Sequence, residues 1–487
     1  VTPPKLGKVS RTALKYKDNI PLFVEEILNV TPRATQERIL NLLTDVHRVC
    51  VRSPRGYGKT ALASWVVLWA LTVFENVKII TTASAWQQLT NGLWTEIANW
   101  AEVGNWDKVD LAIRRDKELT KHRLELGSNR FAFAVAPKDP AKIEGTHAEV
   151  VVCIIDEGKA VPDDIWDAIE GSFVGAKEYY YLAISTPGTP RGRFYEIHAR
   201  REGLKDWTPV HVTREMALAE GVPGFKKLME TRKAQWGETA PFFRQQFMAE
   251  FAQDEENALI PMDFVEAAIE RWYALSDIPN HKRHLEVIGM DVGGEGASST
   301  VIAKLYDGTY ISLLEEYKNP DTGANIGILK KVLGKSYNKD KGKYEARANV
   351  DVIGIGVGVV DGFRDEEKYN VTGVNVSKPT KKKDATGTVG FYNLRSYLYW
   401  RLRERLDPSI TPEEELLCLP PDDDLVGELV SIRYRMHANG YKVERKDEIK
   451  RRLGKSPDKA DSLSLLMYDD SKGARITVYE AENPFFS

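Results

Sequence analysis

The sequence predicts an α/β protein in two unlike halves: a helix-covered sheet of buried strands, then a second, mixed sheet. Three observations predict it. Segment 46–53 reads as a strand, runs into the glycine-containing turn Ser53-Pro54-Arg55-Gly56-Tyr57-Gly58-Lys59-Thr60, and is followed by an apolar helix from Ala61. Val150-Val151-Val152-Cys153-Ile154-Ile155 is a continuous apolar run, as expected of a strand buried on both faces of a parallel sheet. Beyond residue 285, strand-like runs are joined by glycine-containing turns, which suits antiparallel pairing.

The first half carries a P-loop. Strand, glycine turn and helix together form the context in which backbone N–H groups of the turn and the helix N-terminus face a phosphate. Gly56 and Gly58 permit the close approach, Lys59 would reach the outer phosphates, and the Thr60 hydroxyl would hold Mg²⁺. Arg55 adds positive charge inside the loop. The usual first glycine is replaced by Ser53.

The apolar run 150–155 ends in Asp156-Glu157, a Walker B arrangement about a hundred residues after the P-loop. Asp156 would hold the Mg²⁺ shell and Glu157 would orient or deprotonate the attacking water. A further strand, 179–184, ends in Ser185-Thr186-Pro187-Gly188. Hydroxyls at a strand's C-terminal end lie where α/β sheets bind ligand, so Ser185 and Thr186 are candidate phosphate sensors. An ordinary turn after a core strand is the competing reading. Upstream, Gln36 opens a helical pattern and offers an amide that can read an adenine edge; a surface glutamine fits equally well.

In the second half, segment 285–290 leads to Asp291-Val292-Gly293-Gly294. Segments 298–305 and 309–314 follow as antiparallel partners, completing a meander. Ala348-Asn349-Val350 leads to Asp351. Gly354, Gly356 and Gly358 then precede Asp361, but without the strand–turn context of a dinucleotide fingerprint. Ser456-Pro457-Asp458-Lys459-Ala460-Asp461 opens an apolar helix, where capping accounts for Asp458. Capping does not account for Asp291 and Asp351 at strand ends. Carboxylates from two strands and a helix can converge on hard cations, and two such ions about 3.5–4 Å apart support phosphodiester cleavage.

Between these acids, segment 377–406 holds eight basic residues, among them Lys381, Lys382, Lys383 and Arg395, against Asp384 and Glu404. Phe391, Tyr392, Tyr397, Tyr399 and Trp400 interleave. Phosphate contacts are one reading. A solvated lysine loop before a helix with core aromatics is the other, and a helix can do both.

The whole chain sets further bounds. At 487 residues it can build two or three cores. Its composition, 42% hydrophobic and 29% charged, is that of an ordinary globular protein, and the net charge of −3 gives no global sign of a nucleic-acid partner. Cys50, Cys153 and Cys418 fit no metal-ligand spacing and suit a reducing compartment. No membrane-length apolar run and no signal-peptide pattern is present.

The order of these motifs resembles the large terminase subunit of tailed bacteriophages across nearly the whole chain. That resemblance implies a RecA/ASCE-like packaging ATPase over 1–199, a lid over 200–251 ending near Pro241-Phe242-Phe243, a linker over 252–285 and an RNase H-like nuclease over 286–487. It implies Gln36 at the adenine, and Arg55, Gly56, Tyr57, Gly58, Lys59 and Thr60 around the ATP phosphates and Mg²⁺. It implies Asp156 and Glu157 as the Walker B pair and Ser185-Thr186 as the coupling motif. Asp291, Asp351 and Asp461 would hold two Mg²⁺ or Mn²⁺ ions, with Asp458 as an auxiliary ligand. The implied partners are double-stranded DNA, the portal protein, the small terminase subunit and further copies in a ring on the procapsid, assembled from a protein that is monomeric in isolation. The implied location is the infected host's cytoplasm, with no membrane. Relatives carry an arginine finger shortly before the Walker B strand; here that stretch is Ile143-Glu144-Gly145-Thr146-His147. Arg191, Arg193, Arg200 and Arg244 are therefore the candidates. A helicase-like or DNA-repair ATPase with a DNA-binding second half, and a scaffold with a vestigial P-loop, are the competing functions.

Overall fold

A computed structural model describes residues 9–115, 117–137, 139–143, 147–252, 257–293, 299–318, 321–453 and 455–469. The first sheet is built from β1 (Arg48–Arg52), β2 (Val77–Ala83), β3 (Arg123–Gly127), β4 (Arg130–Ala134), β5 (Val150–Asp156), β6 (Glu178–Ser185) and β7 (Thr208–His211). Their order is β3-β4-β2-β5-β6-β1-β7, parallel throughout except for the β3–β4 pair. One strand, β6, separates the P-loop strand β1 from the Asp-Glu strand β5, so all three strand ends open on one crevice. Every residue of β5 is buried, as its unbroken apolar run requires. Helix Lys59–Val73 is buried from Leu62 onward, and its sequence is accordingly apolar all round.

Strand β7 pairs with β1, Val49 opposite Thr208 through Arg52 opposite His211. The region expected as a lid thus begins inside the first sheet, and Pro209 is tolerated there because β7 is an edge. Its remaining helices close over an aromatic cluster in which Trp236 meets Phe242 at 4.8 Å and Phe243 stacks on Phe247 at 5.1 Å.

The second half contains β8 (Leu285–Asp291), β9 (Ser299–Tyr306), β10 (Tyr310–Ile311), β11 (Glu315–Lys318), β12 (Tyr337–Asn338), β13 (Lys343–Tyr344), β14 (Arg347–Asp351), β15 (Asn370–Val374), β16 (Tyr434–His437) and β17 (Gly440–Val443). Strands β12–β13 and β16–β17 are separate hairpins. The main sheet has the order β10-β9-β8-β14-β15, with β11 also on β9. Strands β8 and β9 are antiparallel, whereas β14 runs parallel to both β8 and β15. This is the mixed sheet of an RNase H-like domain. The meander forms, but its third run is split, since β10 stops at Ile311 and pairing resumes at Glu315. Gly294 and Ser298, expected in this meander, lie outside the described residues.

Segment 252–285 is more than a tether. Its helix Met262–Leu275 buries Met262, Val265 and Ala268. Toward the first sheet it offers Glu266 to Lys159 and Asp263 to Thr189. Toward the second, the Trp272 indole donates to Ile311 O at 2.8 Å and Arg271 donates to Leu417 O at 3.0 Å. Among the described residues, no helix is long and apolar enough to cross a membrane.

Candidate functional site

The P-loop is fixed at both ends. Ser53 N–H donates to Ser185 O at 3.1 Å, extending the β1–β6 pairing, and Arg55 N–H donates to Gln246 O at 2.8 Å. Gly58 caps the following helix in the left-handed region, with φ of 95°. A side chain there would also meet Gln36, since a Cβ would lie 3.1 Å from Gln36 Nε2. Gln36 therefore packs directly on the loop, while its Oε1 accepts from Arg33 N–H and closes its own helix. Arg33 in turn donates to Tyr57 O at 3.0 Å.

Tyr57 departs from the expectation. Its main chain is in the loop, but its ring is buried and its hydroxyl donates to Glu220 Oε2 at 2.5 Å. Glu220 also accepts from Thr35 N–H at 2.8 Å and from Thr35 Oγ1. The phenol thus pins the loop to the C-terminal end of helix Arg214–Ala219 and to the Gln36 helix instead of facing the cavity.

Lys59 Nζ donates to Pro54 O at 3.3 Å. Burial lowers its pKa, and the charges of Glu157 and Asp156 work against that. Asp156, buried at the end of β5, is pushed up to about 7 by burial and by Glu157, against the pull of Lys59. Glu157 adopts a left-handed φ of 51°, and its Oε2 accepts from Ser185 Oγ at 3.0 Å and Thr186 Oγ1 at 3.3 Å. The candidate water-activating carboxylate and the candidate sensors are thus in contact. Thr60 lies half-buried in the first helical turn.

Arg55, Lys59, Glu157 and Thr186 line a cavity of about 270 Å³, which Tyr273 of helix Met262–Leu275 and Asp423 of the second half also line. Arg55 forms an ion pair with Asp423 across it. The four finger candidates all have partners within the chain: Arg191 with Asp263, Arg193 with Asp167, Arg244 with Glu250, and Arg200 with Trp207 O. Glu144, Gly145 and Thr146, in the stretch before β5, lie outside the described residues.

The acids of the second half meet at the end of its sheet. Carboxylate oxygens of Asp291, Asp458 and Asp461 lie within 4.8 Å of one another. Asp291 ends β8, and helix Asp458–Leu465 crosses the same strand. Ser462 Oγ donates to Gly289 O at 3.1 Å, and a Cβ on Gly289 would come within 2.2 Å of Ser462 O. Asp458 and Asp461, three residues apart, share the helix face turned to Asp291. Asp458 is thus a full member of the cluster and makes no capping bond. Asp351 stands beside the group, not within it. It lines the same cavity of about 630 Å³ as Asp291 and Asp458, but its Oδ1 accepts from Ile353 N–H at 2.9 Å.

Lys446 sits at the centre. Its Nζ is 3.0 Å from Asp291, 3.0 Å from Asp458 and 3.2 Å from Asp461. Arg395, expected to contact DNA, instead turns inward: it is paired with Asp461, which also accepts from the Tyr399 hydroxyl at 2.6 Å. Burial, joined by the neighbouring carboxylates and opposed by Lys446, pushes Asp291 up to about 7. Burial also raises Asp351, whereas Arg395 and Lys446 hold Asp461 low against its burial. Among the described residues, Asp458 Oδ1 and Asp461 Oδ2 accept no aligned hydrogen bond despite their nearness to Lys446. Such a set of under-satisfied carboxylates fits hard divalent cations. Lys381, Lys382 and Lys383 lie exposed on a loop ahead of helix Leu394–Glu404, which buries Tyr399 and Trp400.

Sequence reasoning missed Arg33, Glu220 and Lys446, and assigned Arg395 elsewhere. Each acts on a partner 24 to 163 residues away, and no local spacing announces it.

Fold and site define a P-loop ATPase-type sheet joined to an RNase H-like sheet that gathers carboxylates. No family model matches the chain. Over 480 residues it is 22% identical to the probable large terminase subunit of Enterobacteria phage P7, covering 90% of this chain and 88% of that protein. Among solved structures it is similar to the large terminase of a thermophilic bacteriophage, at 12% identity over 92% of this chain and 97% of that one, with a TM-score of 0.39. It is also similar to the nuclease domain of the large terminase subunit of bacterial virus Sf6, at 20% identity over 44% of this chain and 99% of that one, with a TM-score of 0.36. The sequence similarity to that large terminase subunit of phage P7 thus runs nearly end to end.

Proposed function

We propose that the chain is the large subunit of a viral DNA-packaging motor, hydrolysing ATP to drive double-stranded DNA into a procapsid and cutting concatemeric DNA. The observation that carries this reading is the meeting of Asp291, Asp458 and Asp461 in a chain that also holds a P-loop with Glu157 against Ser185 and Thr186. In the first half, loop amides and Lys59 bind the phosphates, Gln36 borders the base, and Asp156 and Thr60 hold Mg²⁺. Glu157 orients the attacking water, and its bonds to Ser185 and Thr186 give the strand end a means of registering phosphate loss.

In the second half, Asp291, Asp458 and Asp461 hold Mg²⁺ or Mn²⁺, with Asp351 at the margin of the same cavity. Bound divalent cations would supply an activated water and neutralise charge at the leaving oxygen. Arg395 holds Asp461 ionised and in place, and Lys446 offsets the carboxylate charge until a cation displaces it. Lys381, Lys382 and Lys383 are positioned for backbone phosphates of the duplex. The portal protein, the small terminase subunit and further copies in a ring are the proposed partners, in the cytoplasm of an infected host.

Separate losses test the assignment. Lys59→Ala and Glu157→Gln should abolish ATP turnover while leaving Mn²⁺-dependent DNA cleavage. Asp291→Asn and Asp458→Asn should abolish cleavage while leaving ATP turnover. Cleavage that survives excess chelator, or both aspartate variants, would overturn the nuclease reading. ATP turnover unaffected by Lys59→Ala would overturn the motor reading.

A further inference from the structure

The nucleotide cavity contains a third cation besides Arg55 and Lys59, and it follows Glu157 by two residues. Lys159 lies in the short turn Gly158–Ala160, with its amide facing Ser185 Oγ at 3.4 Å. Its backbone is therefore set against the strand end that holds Glu157. The side chain is 15% exposed, and its Nζ lies 2.6 Å from Glu266 Oε1. Both groups line the cavity with Lys59, Glu157 and Thr186. Glu266 belongs to helix Met262–Leu275, the element that also grips the second sheet through Trp272 and Arg271.

An ammonium is a compact charge with three donors that turns readily between acceptors. Beside a cavity of this size, a phosphate oxygen and the Glu266 carboxylate compete for it. We infer that Lys159 is a phosphate-contacting residue for the terminal phosphate of the bound nucleotide, and that Glu266 is the positioning residue that holds it and competes for it. The inference rests on reading this cavity as the ATP site. It has a mechanical corollary: a triphosphate that draws Lys159 away loosens helix Met262–Leu275 at its first-sheet end, and a diphosphate does not.

The simpler alternative makes the Lys159–Glu266 pair a strut between turn and helix. The two ideas predict opposite signs. Binding of a non-hydrolysable ATP analogue and of ADP is measured on the full chain, for wild type, Lys159→Gln, Lys159→Arg, Glu266→Gln and Lys59→Ala. Loss of one charge-assisted hydrogen bond should weaken binding of the analogue by about tenfold in Lys159→Gln, with ADP little changed. Lys159→Arg should restore most of it. Glu266→Gln, which removes the competitor, should tighten binding of the analogue. A strut predicts that Lys159→Gln and Glu266→Gln weaken both nucleotides alike, and that result would overturn the inference. If Lys159→Gln fails to fold, the sign of the Glu266→Gln effect decides. Should wild type and Lys59→Ala bind nucleotide equally or not at all, the ATP-site reading fails and the inference falls with it.

Discussion

Replacing Lys446 with alanine tests whether this ammonium is the resident counter-charge of the acid cluster. Its Nζ lies 3.0, 3.0 and 3.2 Å from three carboxylates, two of them almost fully buried. At an effective dielectric near 20, one unit pair at that separation attracts by about 5 kcal/mol. Breaking a buried pair typically costs about 3–5 kcal/mol. The lysine side chain is 40% exposed, and proton uptake by Asp291, already pushed up to about 7, limits the penalty. A net loss of about 2–3 kcal/mol for the metal-free protein follows, or about 5–10 °C in Tm for a domain of this size. Divalent cations no longer have an ammonium to displace, so Mn²⁺ should raise the variant's Tm by more than it raises that of wild type. Thermal unfolding in chelator and in Mn²⁺ reads both quantities. Equal metal-free midpoints together with equal Mn²⁺ shifts would refute the reasoning.

Four further outcomes are expected. Gly289→Ala drives a methyl against Ser462 O, so urea unfolding should show a loss of about 1–3 kcal/mol, and calorimetry weakened Mn²⁺ binding as helix Asp458–Leu465 is pushed off its strand. Because burial raises Asp291 from its ordinary 3.8 to about 7, Mn²⁺ affinity should fall as pH drops through about 7 and level off above it. The same shift makes the metal-free fold lose stability as pH rises from about 4 to 7, since over that window the folded state binds the extra proton; pH-dependent unfolding without metal checks the sign. Glu220→Gln weakens the bonds from Tyr57 and Thr35, so stability should drop by about 1 kcal/mol and the KM for ATP should rise, as read in steady-state turnover.

The first half was legible because its signals are local. Strand, turn and helix follow one another at Ser53–Thr60, and Asp156-Glu157 terminates an apolar run that can only be a core strand. The second half was legible in its strands and less so in its chemistry. Asp291 and Asp351 end adjacent parallel strands, but strand adjacency does not say which carboxylate turns inward. Asp458, read as a capping residue or an auxiliary ligand, shares a helix face with Asp461 and so joins the cluster. Arg395 shows the opposite failure: a basic, aromatic segment reads as a DNA surface, whereas the side chain neutralises Asp461 66 residues away. Segment 252–285 looked like a linker because its charged residues outnumber the narrow apolar stripe of Met262, Val265 and Ala268, yet Glu266 ties the helix to Lys159 while Arg271 and Trp272 tie it to Leu417 O and Ile311 O.

Two of the three clustered carboxylates sit on helix Asp458–Leu465, far along the chain from Asp291. During synthesis, at about 5–20 residues per second, the strand bearing Asp156 leaves the ribosome roughly 15–60 s before that helix does. A nascent chain can therefore fold its first sheet while its acid cluster does not yet exist. Chains abandoned partway through translation inherit the same asymmetry. They would carry the first sheet but no complete set of acids, so a complete carboxylate cluster is confined to chains that have been read through to that helix.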